Sequence, residues 1–321
     1  MKIAIVGLDL VGTSLALALK SAESEISIIG HDPVAENVKR AKELKAIDKS
    51  HWNLISSCEE ADVVVLDLSL PETEKTLKAL GENIKPETLI IDTAPVKRPV
   101  MTMAERLLPK TTQFVGGHLV SPSLVANTSD PAADLIKGAT FYMVAPTNLS
   151  AETINLATTL AEAVGATPRF IDAEEHDGLM AAIGGLPLVG AMATFATIAE
   201  PAGFRERSKS VGAEVLSLGA LLGISSTATT DLALANADYL IPWIDAYVAK
   251  LGELRQLLAD NNREAVEKFA DHVHDTLLQC LRRGEEPKGP GIPDTGLGLR
   301  TFFLGSWGQK KPDEDSSKDK K

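Results

Sequence analysis

The chain is poor in cysteine and in positive charge. Only Cys58 and Cys280 are cysteines among its 321 residues. They lie far apart with no Cys-x-x-Cys spacing, so neither a disulfide framework nor a metal site is expected. Such usage suits a reducing, cytoplasmic setting. The 32 lysines and arginines fall short of the 44 aspartates and glutamates, giving a formal net charge of −12. That deficit argues against nucleic acid or an anionic membrane as the main partner. No internal repeat is present. The apolar residues after Lys2 faintly resemble a secretory leader, but Asp9 interrupts the run. Residues 179–199 lack any charged residue and are long enough to span a bilayer. They are rich in Ala, Gly and Thr, contain Gly184-Gly185 and Pro187, and are flanked by Asp177 and Glu200. A helix buried by protein is the expectation, and a homodimer interface is one way to supply the buried surface.

What is present begins at the N-terminus. An apolar run, Ile3-Ala4-Ile5-Val6, leads into a glycine turn, Gly7-Leu8-Asp9-Leu10-Val11-Gly12. A helix-like segment follows, then a second apolar run, Ile26-Ser27-Ile28-Ile29, and an acid, Asp32. Strand, tight turn, helix, strand and acid in that order open a dinucleotide-binding βαβ unit. Gly7 suits the sharp exit from the strand, and Gly12 the packing of helix on strand. Asp32 can hydrogen-bond the ribose hydroxyls of the adenosine. Its carboxylate would repel a 2′-phosphate, which favours NAD over NADP. The middle glycine is replaced by Asp9, whose side chain crowds and repels a pyrophosphate. The cofactor-binding residues expected are therefore Gly7, Leu8, Asp9, Leu10, Val11, Gly12 and Asp32.

Strands and helices alternate up to residue 171. Apolar strands are expected at 62–66, 88–92, 113–118, 140–144 and 167–171, with helices at 34–47, 71–80, 100–108 and 151–164. This is an α/β domain with a doubly wound, mainly parallel sheet. From residue 172 the periodicity is helical. Helices are expected at 177–199 with a kink at Pro187, at 208–222, at 232–260 and at 261–283. The expected organisation is a nucleotide-binding domain over 1–171, an all-α substrate and dimerisation domain over 172–283, and a loop with a disordered charged tail over 284–321.

Six segments occur in an order and at intervals that match one family. They are residues 7–14, Asp92-Thr93-Ala94-Pro95-Val96-Lys97, Phe114-Val115-Gly116-Gly117-His118, residues 175–183 beginning Glu175-His176-Asp177, Gly203-Phe204-Arg205, and Asn236-Ala237-Asp238-Tyr239. Together they resemble the prephenate/arogenate dehydrogenases of tyrosine biosynthesis over roughly residues 1–283. The resemblance implies a Rossmann-type domain followed by a helical dimerisation domain. It also implies a reaction on a small-molecule substrate. Hydride passes from a hydroxyl-bearing ring carbon to NAD(P), a histidine takes the hydroxyl proton, and the ring carboxylate leaves as carbon dioxide. Carried onto this chain, the catalytic histidine is His118, whose imidazole has the right pKa for a base. The glycines before it are expected to leave room for a ligand. Lys209, with Arg205 and Arg207 nearby, takes the place of the substrate-binding arginine. His176 is expected to serve helix capping or surface electrostatics.

The chain also departs from the family pattern. The serine that supports the catalytic histidine is Pro95 here, and the proline that follows that histidine is Leu119. The family's Ser-His-Leu-Pro-His is Gly184-Gly185-Leu186-Pro187-Leu188. The alternatives to an oxidoreductase of this type are a non-catalytic Rossmann-fold dimer that binds a metabolite or partner, and a dehydrogenase for another small hydroxy acid.

Overall fold

The computed structural model describes residues 1–22, 25–121, 123, 130–199, 203–222 and 226–282. The expectations for a loop and tail beyond residue 283 lie outside the described residues. Eight strands form one sheet in the order β3-β2-β1-β4-β5-β6-β7-β8. They are β1 (Lys2–Val6), β2 (Ser27–His31), β3 (Lys49–Ser50), β4 (Val63–Leu66), β5 (Leu89–Asp92), β6 (Gln113–Val120), β7 (Thr140–Val144) and β8 (Thr167–Phe170). Every neighbouring pair is parallel except β6 with β7. The interleaved helices are α1 (Leu10–Ala22), α2 (Ala35–Glu43), α3 (Leu54–Cys58), α4 (Leu70–Gly81), α5 (Arg98–Leu107) and α6 (Ala151–Ala163).

The central strands β1, β4 and β5 are buried and almost wholly apolar because helices cover both faces of the sheet. Their side chains divide with a period of two. Ile3, Ile5, Val63 and Val65 join a core with Leu15, Leu19, Ile28, Phe141 and Leu160. Ala4, Val6, Val64 and Leu66 join the opposite core with Leu77, Leu80, Ile90 and Phe114. Sequence order reverses about β1 and β4, which opens a crevice at the carboxyl ends of the strands. The short β3 and α3 are additions to the sequence-based expectation.

Beyond Phe170 the described chain is helical. It contains α7 (Ala173–Met180), α8 (Leu186–Ala199), α9 (Phe204–Ser208), α10 (Ala213–Ala220), α11 (Ser226–Ala235), α12 (Ala237–Ala259) and α13 (Arg263–Arg282). A π-helical turn, Ala181–Gly185, links α7 to α8. Pro187 follows it in the first turn of α8. A proline there lacks an amide donor and crowds the preceding turn, and the wider π turn absorbs both defects without breaking the run. The single helix expected over 232–260 is two helices. They part at Asn236, whose backbone leaves the helical region (φ −125°, ψ 22°) while its side chain bonds elsewhere.

The expectation that residues 179–199 are buried fails within one chain. Ala191 is the buried residue of α8. The run Ala173–Ala199 is long and apolar enough, by length and composition, to cross a membrane. Its first turns, however, are tied by polar contacts to the carboxyl edge of the sheet, as described below.

The turn after β1 is tight. Gly7 has φ +95°, and a Cβ there would lie 2.0 Å from the Asp67 carbonyl oxygen. Gly7→Ala should therefore lower the unfolding free energy by roughly 2–4 kcal/mol, from left-handed strain and overpacking. Urea unfolding checks this, and an unchanged midpoint would show that the turn has slack.

Candidate active site

The carboxyl edge of the sheet gathers the turn after β1, Asp32 after β2, Asp67 after β4 and Thr93–Lys97 after β5. β6 runs past the end of β5, so His118 reaches the same edge. Two buried groups fix its backbone. Asp92 accepts the Gly117 amide at 3.0 Å through Oδ1 and the Ala94 amide at 2.9 Å through Oδ2. Lys97, fully buried, donates its ammonium to Asp92 Oδ2 and to the Gly117 carbonyl, both at 2.5 Å. Burial pushes the Asp92 carboxyl up and the Lys97 ammonium down, while their pairing opposes both shifts.

The Gly116-Gly117 pair does not make room for a ligand, contrary to expectation. A Cβ on Gly116 would meet Met101 Sδ at 2.8 Å, and one on Gly117 would meet the Asp92 carbonyl oxygen at 2.4 Å. The glycines let the chain pack against itself.

His176 is also placed otherwise than expected. Asp172 caps α7 by accepting the Glu175 amide at 2.7 Å, and His176 is fully buried. Its Nε2 lies 3.0 Å from His118 Nδ1, and its Nδ1 lies 2.8 Å from Asp177 Oδ1. Asp177 also accepts the Lys97 amide at 2.7 Å, the Arg98 amide at 2.9 Å and Arg98 Nε at 3.2 Å. One carboxylate thus caps the N-terminus of α5, complements its dipole and anchors the imidazole. Burial works against its charge. The hydrogen bonds from His176, Arg98 and Lys97 outweigh that and hold its pKa below the usual carboxylate range.

Arg98 carries the network to α12. It is bidentate to Asp238, at 2.7 Å for each nitrogen, and it donates to Asn236 Oδ1 at 3.0 Å. Its guanidinium lies 4.4 Å from the centre of the Tyr239 ring. Asn236 in turn donates to the Asp177 carbonyl at 2.8 Å. The Asn236-Ala237-Asp238-Tyr239 segment therefore serves to hold Arg98. Asp238 is drawn down to about 2, chiefly by its hydrogen bond from Arg98.

The tautomers follow from this chain of bonds. Asp177 is an acceptor, so His176 Nδ1 carries a proton and its Nε2 is the lone-pair nitrogen. His118 Nδ1 must then donate, which leaves His118 Nε2 unprotonated. Burial, reinforced by His176 and Lys97, pushes the pKa of His118 well below that of a free imidazole. His118 is consequently a neutral base.

At the turn after β1, Asp32 is tied down on both oxygens. Oδ2 accepts the Leu8 amide at 2.7 Å and Asn37 Nδ2 at 3.2 Å, and Oδ1 accepts the Val34 amide at 2.7 Å. The Asp9 side chain is exposed. Leu10 and Val11 open α1, where amides have no intrahelical acceptor. The turn and Asp32 thus lie side by side, joined through the Leu8 amide. Asp67, which sequence reasoning missed, lies against that turn. Removal from water raises its pKa, against hydrogen bonds from Thr93 and Gly12 that lower it and the nearby charges of Asp9 and Asp32 that raise it further.

Of the expected cationic cluster, Lys209 is the member whose side chain is described. The Lys209 ammonium is paired with Glu206 at 2.8 Å. The side chains of Arg205 and Arg207 lie outside the described residues. No group of three or more His, Cys, Asp or Glu that could hold a metal ion occurs among the described residues.

Comparison with known proteins gives a consistent result. Residues 15–169 match the family model described as prephenate dehydrogenase, nucleotide-binding domain. The prephenate dehydrogenase of Bacillus subtilis is 25% identical over 276 residues, covering 85% of this chain and 74% of that protein. That of Lactococcus lactis is 28% identical over 273 residues, covering 84% and 74%. The solved prephenate dehydrogenase of A. aeolicus, in complex with hydroxyphenyl propionate and NAD+, matches with a TM-score of 0.72 at 21% identity over 88% of this chain and 98% of that one.

Each Asp177 oxygen accepts two donors, so an amide in its place sets a donor against donors. Asp177→Asn should lower the unfolding free energy at neutral pH by roughly 2–4 kcal/mol. Because the native pKa is depressed, the carboxylate stabilises the fold above its unfolded pKa of about 3.9. That contribution fades as the pH falls toward the native value. The gap between wild type and variant in urea unfolding should therefore narrow on acidification. A gap that stays constant would show that the charge is not involved.

Proposed function

We propose that the chain is a member of the prephenate/arogenate dehydrogenase family, an NAD-dependent oxidoreductase that oxidatively decarboxylates a cyclohexadienyl substrate in tyrosine biosynthesis; the match of residues 15–169 and the similarity to prephenate dehydrogenases support this. The observation that carries this reading on the chain itself is the series His118–His176–Asp177 at the carboxyl edge of the sheet. When bound, NAD supplies the acceptor for the substrate's hydride. The turn from Gly7 to Gly12 would lie along its pyrophosphate region, with Leu10 and Val11 at the start of α1 facing it while the Gly7, Leu8 and Gly12 amides stay with His31, Asp32 and Asp67, and Asp32 would meet its adenosine ribose. Asp32 brings a fixed negative charge to the place a 2′-phosphate would take, which favours NAD over NADP.

His118 takes the hydroxyl proton of the substrate at Nε2. As the hydroxyl-bearing carbon gives up its hydride, the ring carboxylate leaves as carbon dioxide, and the electron pair of its broken bond enters the ring and makes it aromatic. Pro95 has no side-chain donor to orient His118. His176 takes over that work, and Asp177 favours the imidazolium that His118 becomes as it accepts the proton. The substrate carboxylate would be met by the cationic stretch of Arg205, Arg207 and Lys209.

We also infer that two copies pair through α8. The helix has no charged residue, and every residue of it but Ala191 is at least partly exposed in its own chain.

Two experiments test these readings. His118→Asn should lower turnover about a hundred-fold or more, with NAD affinity nearly unchanged. Turnover is read from reduced-nicotinamide absorbance with prephenate and with arogenate. In the wild type, kcat/KM should persist as the pH falls through about 6.5, because the depressed pKa keeps His118 neutral there. Unchanged turnover in the variant would remove His118 from the reaction. Separately, Ala193→Asp should weaken pairing by roughly 3 kcal/mol, on the order of a hundred-fold, and shift the sedimenting mass toward one chain. A variant that sediments like the wild type would place the interface elsewhere.

A further inference from the structure

Asp67 follows the last residue of β4, Leu66, and its amide donates to the Val6 carbonyl at 2.8 Å. Its carboxylate therefore stands between the ends of β1 and β5. Oδ2 accepts the Gly12 amide at 2.7 Å, and Oδ1 accepts the Thr93 hydroxyl at 2.7 Å. Gly12 lies in the first turn of α1, where free amides and the helix dipole attract an anion. In this chain an internal anion already holds one of those amides.

The carboxylate is also packed in place. A Cβ on Gly12 would come 3.2 Å from both Asp67 Cβ and Oδ2, and the Gly7 turn closes on the Asp67 carbonyl from the other side. The Gly12 amide and the Thr93 hydroxyl hold the carboxylate against the turn. Asp9 and Asp32 add two more negative charges around it. A dinucleotide lying across this turn meets carboxylates beside its phosphates, whereas its adenosine end meets Asp32 as a hydrogen-bond acceptor.

We propose that Asp67 is a specificity-determining residue of the dinucleotide site: a built-in anion on the α1 amide that opposes the phosphates, so that recognition rests on the nucleoside end of the ligand. The proposal rests on the NAD reading above and adds to it how the site weighs the parts of that ligand. It makes phosphate a weak contributor to affinity in a fold where the helix terminus ordinarily makes it a strong one.

Asp67→Asn tests it. The variant keeps both local contacts, since its amide oxygen can accept the Gly12 amide and its amino group can donate to the Thr93 hydroxyl oxygen. Affinities for adenosine, ADP and NAD are measured by calorimetry on the full chain, wild type and variant, at low and high salt. The variant should bind ADP and NAD roughly tenfold tighter or more and adenosine equally. The gain should shrink at high salt, because it is a charge effect. An ADP affinity that does not change, or an adenosine affinity that changes by the same factor, overturns the proposal. An ADP gain with no binding of NAD to either protein supports the role of Asp67 and overturns the NAD reading alone.

Discussion

The carboxylate of Asp177 is the point on which the site depends. Four donors converge on its two oxygens: the Lys97 and Arg98 amides, Arg98 Nε and His176 Nδ1. It touches both the start of α5 and the imidazole behind His118. Because the carboxylate can only accept, it dictates where the proton sits on His176, and through His176 where it sits on His118. A charge with no access to solvent thereby sets the chemistry of a nitrogen two side chains away. Its burial is affordable because every lone-pair direction is used.

A second buried pair works through the backbone. Asp92 and Lys97 hold the Gly117 peptide from its two sides, amide to carboxylate and carbonyl to ammonium. His118 is thus placed by main chain on one side and by His176 on the other. The two systems share Lys97, whose ammonium serves the first and whose amide serves the second. The site combines rigid polar clamps under the base, from Asp92 at the end of β5 and Asp177 on α7, with a rim of carboxylates at the neighbouring turn, from acids that follow β2 and β4.

Much of the fold was legible because its signals are local. The runs Val63 to Leu66 and Leu89 to Ile91 are apolar and buried at every position, as a two-sided sheet requires, and the Gly7 to Gly12 turn carries its own geometric demand. His118 could be found from its neighbours in sequence. His176 could not be judged correctly, because its acidic surroundings in sequence suggested a helix start at the surface, while its partner is 58 residues away. Gly116 and Gly117 were misread for a related reason. A glycine reports that space is short, and only the structure says whether a ligand or Met101 and Asp92 fill it. Asp67 had a sequence signal that was passed over: an acid at the end of an apolar buried strand. The extent of helix 179–199 was clear, but its exposure was not, since composition cannot say whether the covering surface belongs to the same chain.

The Asp177 seam joins a helix of the sheet layer to helices that follow it in sequence. Proteins open in cooperative pieces with free energies below that of global unfolding. Opening of this seam would leave the sheet and its two cores intact while drawing His176, which travels with Asp177 on α7, away from His118. His118 would then exchange protons between its two ring nitrogens without direction. Competence as a base is in this sense a property of the closed seam, lost at whatever opening energy the Arg98 clamp sets and well before the core melts.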